Sequence, residues 1–217
     1  MRILMVLVLA VMVGCTSIDP YTGQQKTSNT AKGAGIGALA GAVIGAATAS
    51  KKDRKKGALT GAVAGGAIGG GIGYYMDRQE AALRARLEGT GVRVRRDGNN
   101  IYLVMPGNIT FATGQSDIRG GFYETLNSVA IVLAEFDQTS IKVSGHTDST
   151  GGLDLNQRLS EARANSVKQY LQSQGVASGR VHSVGFGPRY PIASNASPEG
   201  RQANRRVELE LQPLQAY

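Results

Sequence analysis

Glycine at every fourth position limits what the first part of this chain can become. Gly33, Gly37, Gly41 and Gly45 recur at that spacing, and so do Gly57, Gly61, Gly65, Gly69 and Gly73. Of the chain's 30 glycines, 13 lie in residues 33–73, which rules out one homogeneous domain. A period of four places each set on one face of a helix, where a second backbone can approach closely. Glycine in a helix costs about 1 kcal/mol relative to alanine, so such a run is helical only if close packing compensates. The spacing therefore predicts two helices meeting along their glycine faces over residues 33–76, with arms of about 25 and 30 Å. Residues 77–91 read as a connecting helix that leaves the hairpin into water and ends at Gly89 and Gly91.

The turn between the arms, residues 51–56, carries five cationic side chains and Asp53. It reads either as a solvated turn or as a contact for anionic headgroups. The arms themselves are mostly Ala and Gly, with few Leu or Ile, so insertion into a bilayer would be weakly driven. Membrane association and a soluble, oligomerising hairpin both stay open. The glycine pattern resembles the glycine-zipper hairpins of bacterial envelope proteins.

Upstream, Met1-Arg2 is followed by 11 apolar residues, 3–13. That is too short for a bilayer core of about 30 Å and fits the apolar region of a secretory signal over residues 1–14. The run ends Met12-Val13-Gly14-Cys15, at the only cysteine of the chain. This resembles the bacterial lipobox, with Met12 where Leu is usual. The resemblance implies cleavage before Cys15 and lipidation of its thiol; a lone thiol in an oxidising compartment is otherwise a liability. Two or more acyl chains anchor stably. The same resemblance implies that a residue other than Asp after the cysteine, here Thr16, sorts the protein to the outer membrane. Residues 15–32 then read as the lipidated cysteine and a flexible linker.

From residue 92 the composition becomes ordinary. Alternation predicts a β-hairpin over 92–96 and 101–105 around Asp97-Gly98-Asn99, and a short strand over 109–111. Apolar spacing predicts a helix over 117–136, a buried strand over 141–144, a second helix over 154–174 closed by Gly175, and strands over 181–187 and 206–211. The fold class expected is α+β, a β-α-β-α-β-β domain over 92–217 preceded by the helical hairpin.

Within that domain stand His146-Thr147-Asp148, Asn156, Leu159-Ser160-Glu161-Ala162-Arg163-Ala164, Val167, Tyr170-Leu171 and Gly175-Val176. Gly185-Phe186-Gly187, Pro191-Ile192-Ala193-Ser194-Asn195, Gly200-Arg201 and Asn204-Arg205-Arg206-Val207-Glu208 continue the series. Together they resemble the OmpA-like peptidoglycan-binding domain, and the whole chain resembles OmpA-family lipoproteins. The resemblance implies noncovalent binding of the diaminopimelate of the stem peptide. Such a centre bears an ammonium and a carboxylate, so its recognition needs one anion and one bidentate cation nearby. By resemblance Asp148 takes the ammonium and Arg163 the carboxylate, Thr147, Asn156 and Leu159 shape the pocket, and Arg205 supports it. Asn156, Ser160 and Arg163 fall on one helix face by spacing. Spacing alone equally allows Asp148 and Arg163 to pair with each other and merely hold the loop. Where the family often has Asp, Ala112 follows Phe111, so only the backbone of Phe111-Ala112-Thr113 is expected as a pocket wall.

Other classes fit poorly. One cysteine excludes a disulfide framework or a CxxC site. His146 and Asp148 make an incomplete metal site, so His146 is expected to be structural or pocket-lining and His182 a plain strand residue. No catalytic arrangement and no cofactor motif is present, so no enzyme is expected. The formal charge of +8 suggests an anionic partner, but residues 90–217 hold only 13 positive against 11 negative side chains. Nucleic acid is therefore not expected. A flagellar stator would need an ion-carrying Asp in an apolar helix, whereas residues 33–73 hold only Asp53, in the basic turn. The expectation is a lipoprotein of the outer membrane, its C-terminal domain in the periplasm, tethering that membrane to peptidoglycan. The alternative is a membrane-embedded or homo-oligomerising hairpin that peptidoglycan binding only positions.

Overall fold

A computed structural model describes residues 16–18, 25–27, 29–50 and 53–214. The signal segment 1–14, Cys15, Lys51 and Lys52 lie outside the described residues. The chain divides into two compact units, Met1–Arg78 and Gln79–Tyr217.

In the first unit, β1 (Thr16–Ile18) pairs antiparallel with β2 (Gln25–Thr27). A paired element thus stands within the stretch expected as a plain linker. The hairpin follows as α1 (Asn29–Thr48) and α2 (Arg54–Leu87). Its arms meet glycine to glycine: Gly37 faces Gly65, Gly41 faces Gly61 and Gly45 faces Gly57, each step of four up one arm matched by a step of four down the other. A Cβ at any of these six positions would overlap a carbonyl of the opposite backbone, and this is why the period is glycine and not alanine. Gly35 and Gly71 have open space instead. On the outward faces Ile36, Leu39, Val43, Leu59 and Val63 are 68–73% exposed. Among the described residues, no helix is long and apolar enough to cross a membrane.

The second helix does not stop where the glycines stop. It runs without a break to Leu87, and its last turns bury Gln79, Leu83 and Leu87, with Gln79 donating to Thr139 Oγ1 at 3.3 Å. The segment expected to leave into water therefore has a buried face. Next come β3 (Arg93–Asp97), β4 (Asn100–Pro106), a short helix α3 (Gly107–Thr110), α4 (Tyr123–Glu135), β5 (Thr139–His146), α5 (Leu153–Ser173), β6 (Val181–Gly185), α6 (Pro198–Asn204) and β7 (Arg206–Pro213). The sheet has five strands in the order β3-β4-β7-β5-β6. Only β5 and β6 are parallel, and α5 is their crossover. Every second residue of the central strands enters the core: Ile101, Leu103 and Met105 from β4, Ile141 and Val143 from β5, and Val207, Leu209 and Leu211 from β7. Leu126, Val129 and Leu133 of α4, with Ala164, Val167 and Leu171 of α5, supply the helical side of that core.

The α+β class and the helical hairpin are as expected, but three details differ. Residues 109–111 are not a strand; Phe111 follows α3 and makes a single bridge to Ile118, closing the loop between them. The first helix of the domain starts at Tyr123, not at 117, because that bridge and a 3-10 turn at Gly120–Phe122 occupy the intervening chain. The additional helix α6 is started by Ser197, whose hydroxyl accepts from Gly200 N at 3.0 Å, with proline in its first turn.

Candidate functional site

The centre of the site is the exit of β5. There Gly145 lies so close to α5 that a Cβ would overlap the carbonyl of Ser160. Two more bonds pin the same corner: Thr147 N donates to Gly187 O at 3.0 Å, and Gly187 N donates to Ser160 Oγ at 2.9 Å. Ser160 is thus turned to the strand ends and does not line the cleft, although it shares a helical face with Asn156 and Arg163 by spacing.

Asp148 follows directly. Its Oδ1 accepts from Thr150 N at 2.8 Å, and its Oδ2 accepts from Arg205 Nη1 at 2.5 Å. Burial pushes this carboxyl up, but the Arg205 guanidinium and the Thr150 bonds outweigh burial and hold it below the usual aspartate value. The loop is closed by Asn156, whose Nδ2 donates to Thr150 O at 2.9 Å, across Gly151 with its φ of +92°.

Arg163 enters from α5. It is buried and does not pair with Asp148. Its Nε donates to Gln115 O at 2.9 Å and its Nη2 to Ala112 O at 3.3 Å, and its guanidinium lies 5.1 Å from the Phe111 ring centre. Burial, then the charge of Arg205, lower its pKa, and Asp148 opposes them. The two opposite charges are therefore each held by other parts of the fold. The reading in which they lock each other is corrected by the Arg205 pair.

Thr147, Asp148, Asn156, Leu159, Arg163 and Arg205 all line one cleft of about 480 Å³. Phe111, Ala112 and Thr113 form part of its wall, as expected of that backbone. Arg119 and Arg201, not among the expected site residues, also line the cleft. Arg201 stood in the quoted Gly200-Arg201 pair; Arg119 carried no signal, being placed by the Phe111–Ile118 bridge next to it. Four arginines and one carboxylate, Asp148, thus line the cleft. Thr147 Oγ1 is buried without a hydrogen-bond partner among the described residues. Chemically the cleft offers one acceptor for an ammonium and several bidentate donors for carboxylates. Among the described residues no group of three His, Cys, Asp or Glu side chains converges as a metal set would require.

His146 does not line the cleft. It is buried against Phe186, with ring centres 5.4 Å apart, and Phe186 meets Tyr190 edge-on. Burial, then Arg206 and Lys142 against the pull of Glu208, lowers its pKa to about 4. His182 is an exposed residue of β6.

A five-stranded mixed sheet with helices on one side and this cleft at the exit of its parallel strand defines an OmpA-type domain. The OmpA family's sequence profile matches residues 110–205, the YMGG-like Gly-zipper profile matches residues 1–77, and the chain belongs to the OmpA family. Over 201 residues it is 54% identical to the "Probable lipoprotein YiaD" of Escherichia coli (strain K12), which covers 93% of this chain and 91% of that protein. It is also 42% identical over 109 residues to the "Peptidoglycan-binding protein ArfA" of Mycobacterium tuberculosis (strain ATCC 25618 / H37Rv), covering 50% of this chain and 33% of that one. Among solved structures, "the cell wall anchor of the T6SS from Pseudomonas aeruginosa" is similar with a TM-score of 0.58 and 29% identity, covering 64% of this chain and 99% of that chain.

Proposed function

We propose that the chain is an envelope lipoprotein that binds peptidoglycan noncovalently through the diaminopimelate of its stem peptide and tethers the outer membrane to the cell wall. Residues 1–14 are the cleaved signal in this reading. Cys15 is the lipid anchor, and residues 15–91 bridge to the binding domain in the periplasm. The observation that carries it is the pair Asp148 and Arg163, of opposite charge in one cleft and each fixed by the fold without the other.

A carboxylate accepts at up to about four positions, so Asp148 keeps capacity for an ammonium beside Thr150 and Arg205. Arg163 spends two N–H groups on carbonyls and has others for a carboxylate. Thr147 Oγ1 supplies a further hydroxyl that the protein leaves unused. The relatives named for peptidoglycan binding and for cell-wall anchoring support the same reading. The role is binding, and no step of bond chemistry is invoked.

The test is retention of the full chain on purified sacculi, with calorimetric titration of a diaminopimelate muropeptide and its lysine counterpart. Binding should be lost in Asp148→Ala and reduced at least tenfold in Arg163→Lys, a variant that preserves the charge beside the Ala112 and Gln115 carbonyls. Undiminished binding by both folded variants would overturn the assignment.

The outward faces of α1 and α2 favour a second reading for the hairpin, since exposed Ile, Leu and Val stand there with no charged residue between Gly57 and Tyr75. In it the hairpin inserts into a membrane or joins copies of the chain, and peptidoglycan only positions it. Replacing Cys15 decides: release into the soluble periplasmic fraction supports anchoring by lipid, and persistence in membranes credits the hairpin.

A further inference from the structure

A second groove opens on α5, one stretch of helix beyond the cleft. Arg163 lies in the cleft, and Ser166, Gln169, Tyr170 and Ser173 follow on the same side at helical spacing to line a groove of about 450 Å³. The loop that closes on Phe111 and Ile118 forms the shared border, with Arg119 facing the cleft and Asp117 facing the groove. From Arg163 to Tyr170 the helix advances about 10 Å.

The chemistry of this groove differs from that of its neighbour. Where four arginines line the cleft, no Lys or Arg lines the groove, so it has no cation for a phosphate or carboxylate. Its floor is aromatic: the rings of Tyr123 and Tyr170 lie 4.9 Å apart at 52°, and the Tyr170 hydroxyl is tied to Asn127 Oδ1 at 2.7 Å. That bond fixes the ring. Tyr123 is 39% exposed. Asp117 and Gln169 are exposed, and neither side chain has a hydrogen bond or ion pair among the described residues. A tyrosine pair by itself would explain the packing of α4 on α5. The Asp117 carboxylate and the Gln169 amide stand exposed beside it, open to a ligand.

Two tyrosine rings beside an uncommitted carboxylate and amide suit a neutral sugar, whose C–H groups rest on rings and whose hydroxyl and N-acetyl groups take the polar partners. We propose that this groove binds the glycan strand of the polymer whose stem peptide occupies the cleft, an inference that rests on the peptidoglycan reading above. The spacing is compatible: in that polymer roughly two or three extended residues, at about 3.3 Å each, separate the sugar from the diamino acid. The cleft then sets the peptide and the groove holds the sugar that carries it.

The experiment titrates the full chain, in detergent micelles, with three probes: a free diaminopimelate stem peptide, the same peptide on its N-acetylglucosamine–N-acetylmuramic acid disaccharide, and the disaccharide alone. The disaccharide should raise affinity over the free peptide by about three- to tenfold. Tyr123→Ala and Gln169→Ala should each remove that gain and leave free-peptide binding unchanged. Equal affinity for the two peptide probes, or a gain that survives both variants, overturns the groove. Failure of the free peptide to bind counts against the cleft alone. In that case the disaccharide decides for the groove by itself: binding lost in Tyr123→Ala supports it, and no binding overturns it.

Discussion

Asp148 and His146 sit two residues apart and answer to acid in the same direction through opposite chemistry. Arg205 and the Thr150 bonds hold the Asp148 carboxyl low, so its contribution to stability is complete above the unfolded value near 3.9 and is lost as pH falls through the lower folded value. His146 is buried neutral, with a folded pKa of about 4. Between about pH 6.5 and 4 the unfolded chain takes up a proton that the folded chain refuses, so stability falls across that window, by about 3 kcal/mol in all. Denaturant melts followed by circular dichroism should show this slope in the wild type and lose it in His146→Leu. Asp148→Asn should flatten only the limb below pH 4. Of the site, the acid and the base were readable as a spaced series of residue types. Their partners were not: that Asp148 meets Arg205 and not Arg163 depends on where β7 begins, which no local spacing reveals.

At the scale of elements, the zipper was the most readable feature because one physical constraint repeats. The six facing glycines have no room for a methyl group, whereas Gly35 and Gly71 have nothing near them. Gly41→Ala should therefore separate the arms and lower the melting temperature of the helical signal. Gly35→Ala and Gly71→Ala should be neutral or stabilise by up to about 1 kcal/mol each. Equal effects at all these positions would mean the arms do not pack as described. Residues 109–111 depart from the expected strand for a complementary reason. Ile109, Thr110 and Phe111 have strand propensity, but Thr110 Oγ1 donates back to Pro106 O at 2.9 Å and Gly107 N donates to Arg205 O at 2.7 Å, so tertiary contacts wind the segment into a turn of helix.

For the whole molecule, the end of α2 decides where the globular unit starts. Leu83 is fully buried, Leu87 nearly so, and Gln79 reaches Thr139. A fragment of residues 79–217 should fold and melt well above one of residues 90–217, which lacks these side chains. Losing two buried leucines costs about 2–5 kcal/mol each where they are cut back to nothing larger than alanine, so the shorter fragment should lose much of a small domain's margin. Identical melting curves would show that the helix end adds nothing to the core.

The surplus of arginines lining the cleft also acts on time. A cleft with more positive than negative groups draws an anionic ligand from beyond contact range, and this speeds encounter without lengthening residence. Salt weakens that pull over about 8–10 Å, while the short bonds made at close range govern departure. A wall fragment should therefore be captured quickly in dilute surroundings and more slowly in brine, with nearly the same dwell in both. A binding domain of this design would regain its hold soonest where the medium around it is thin.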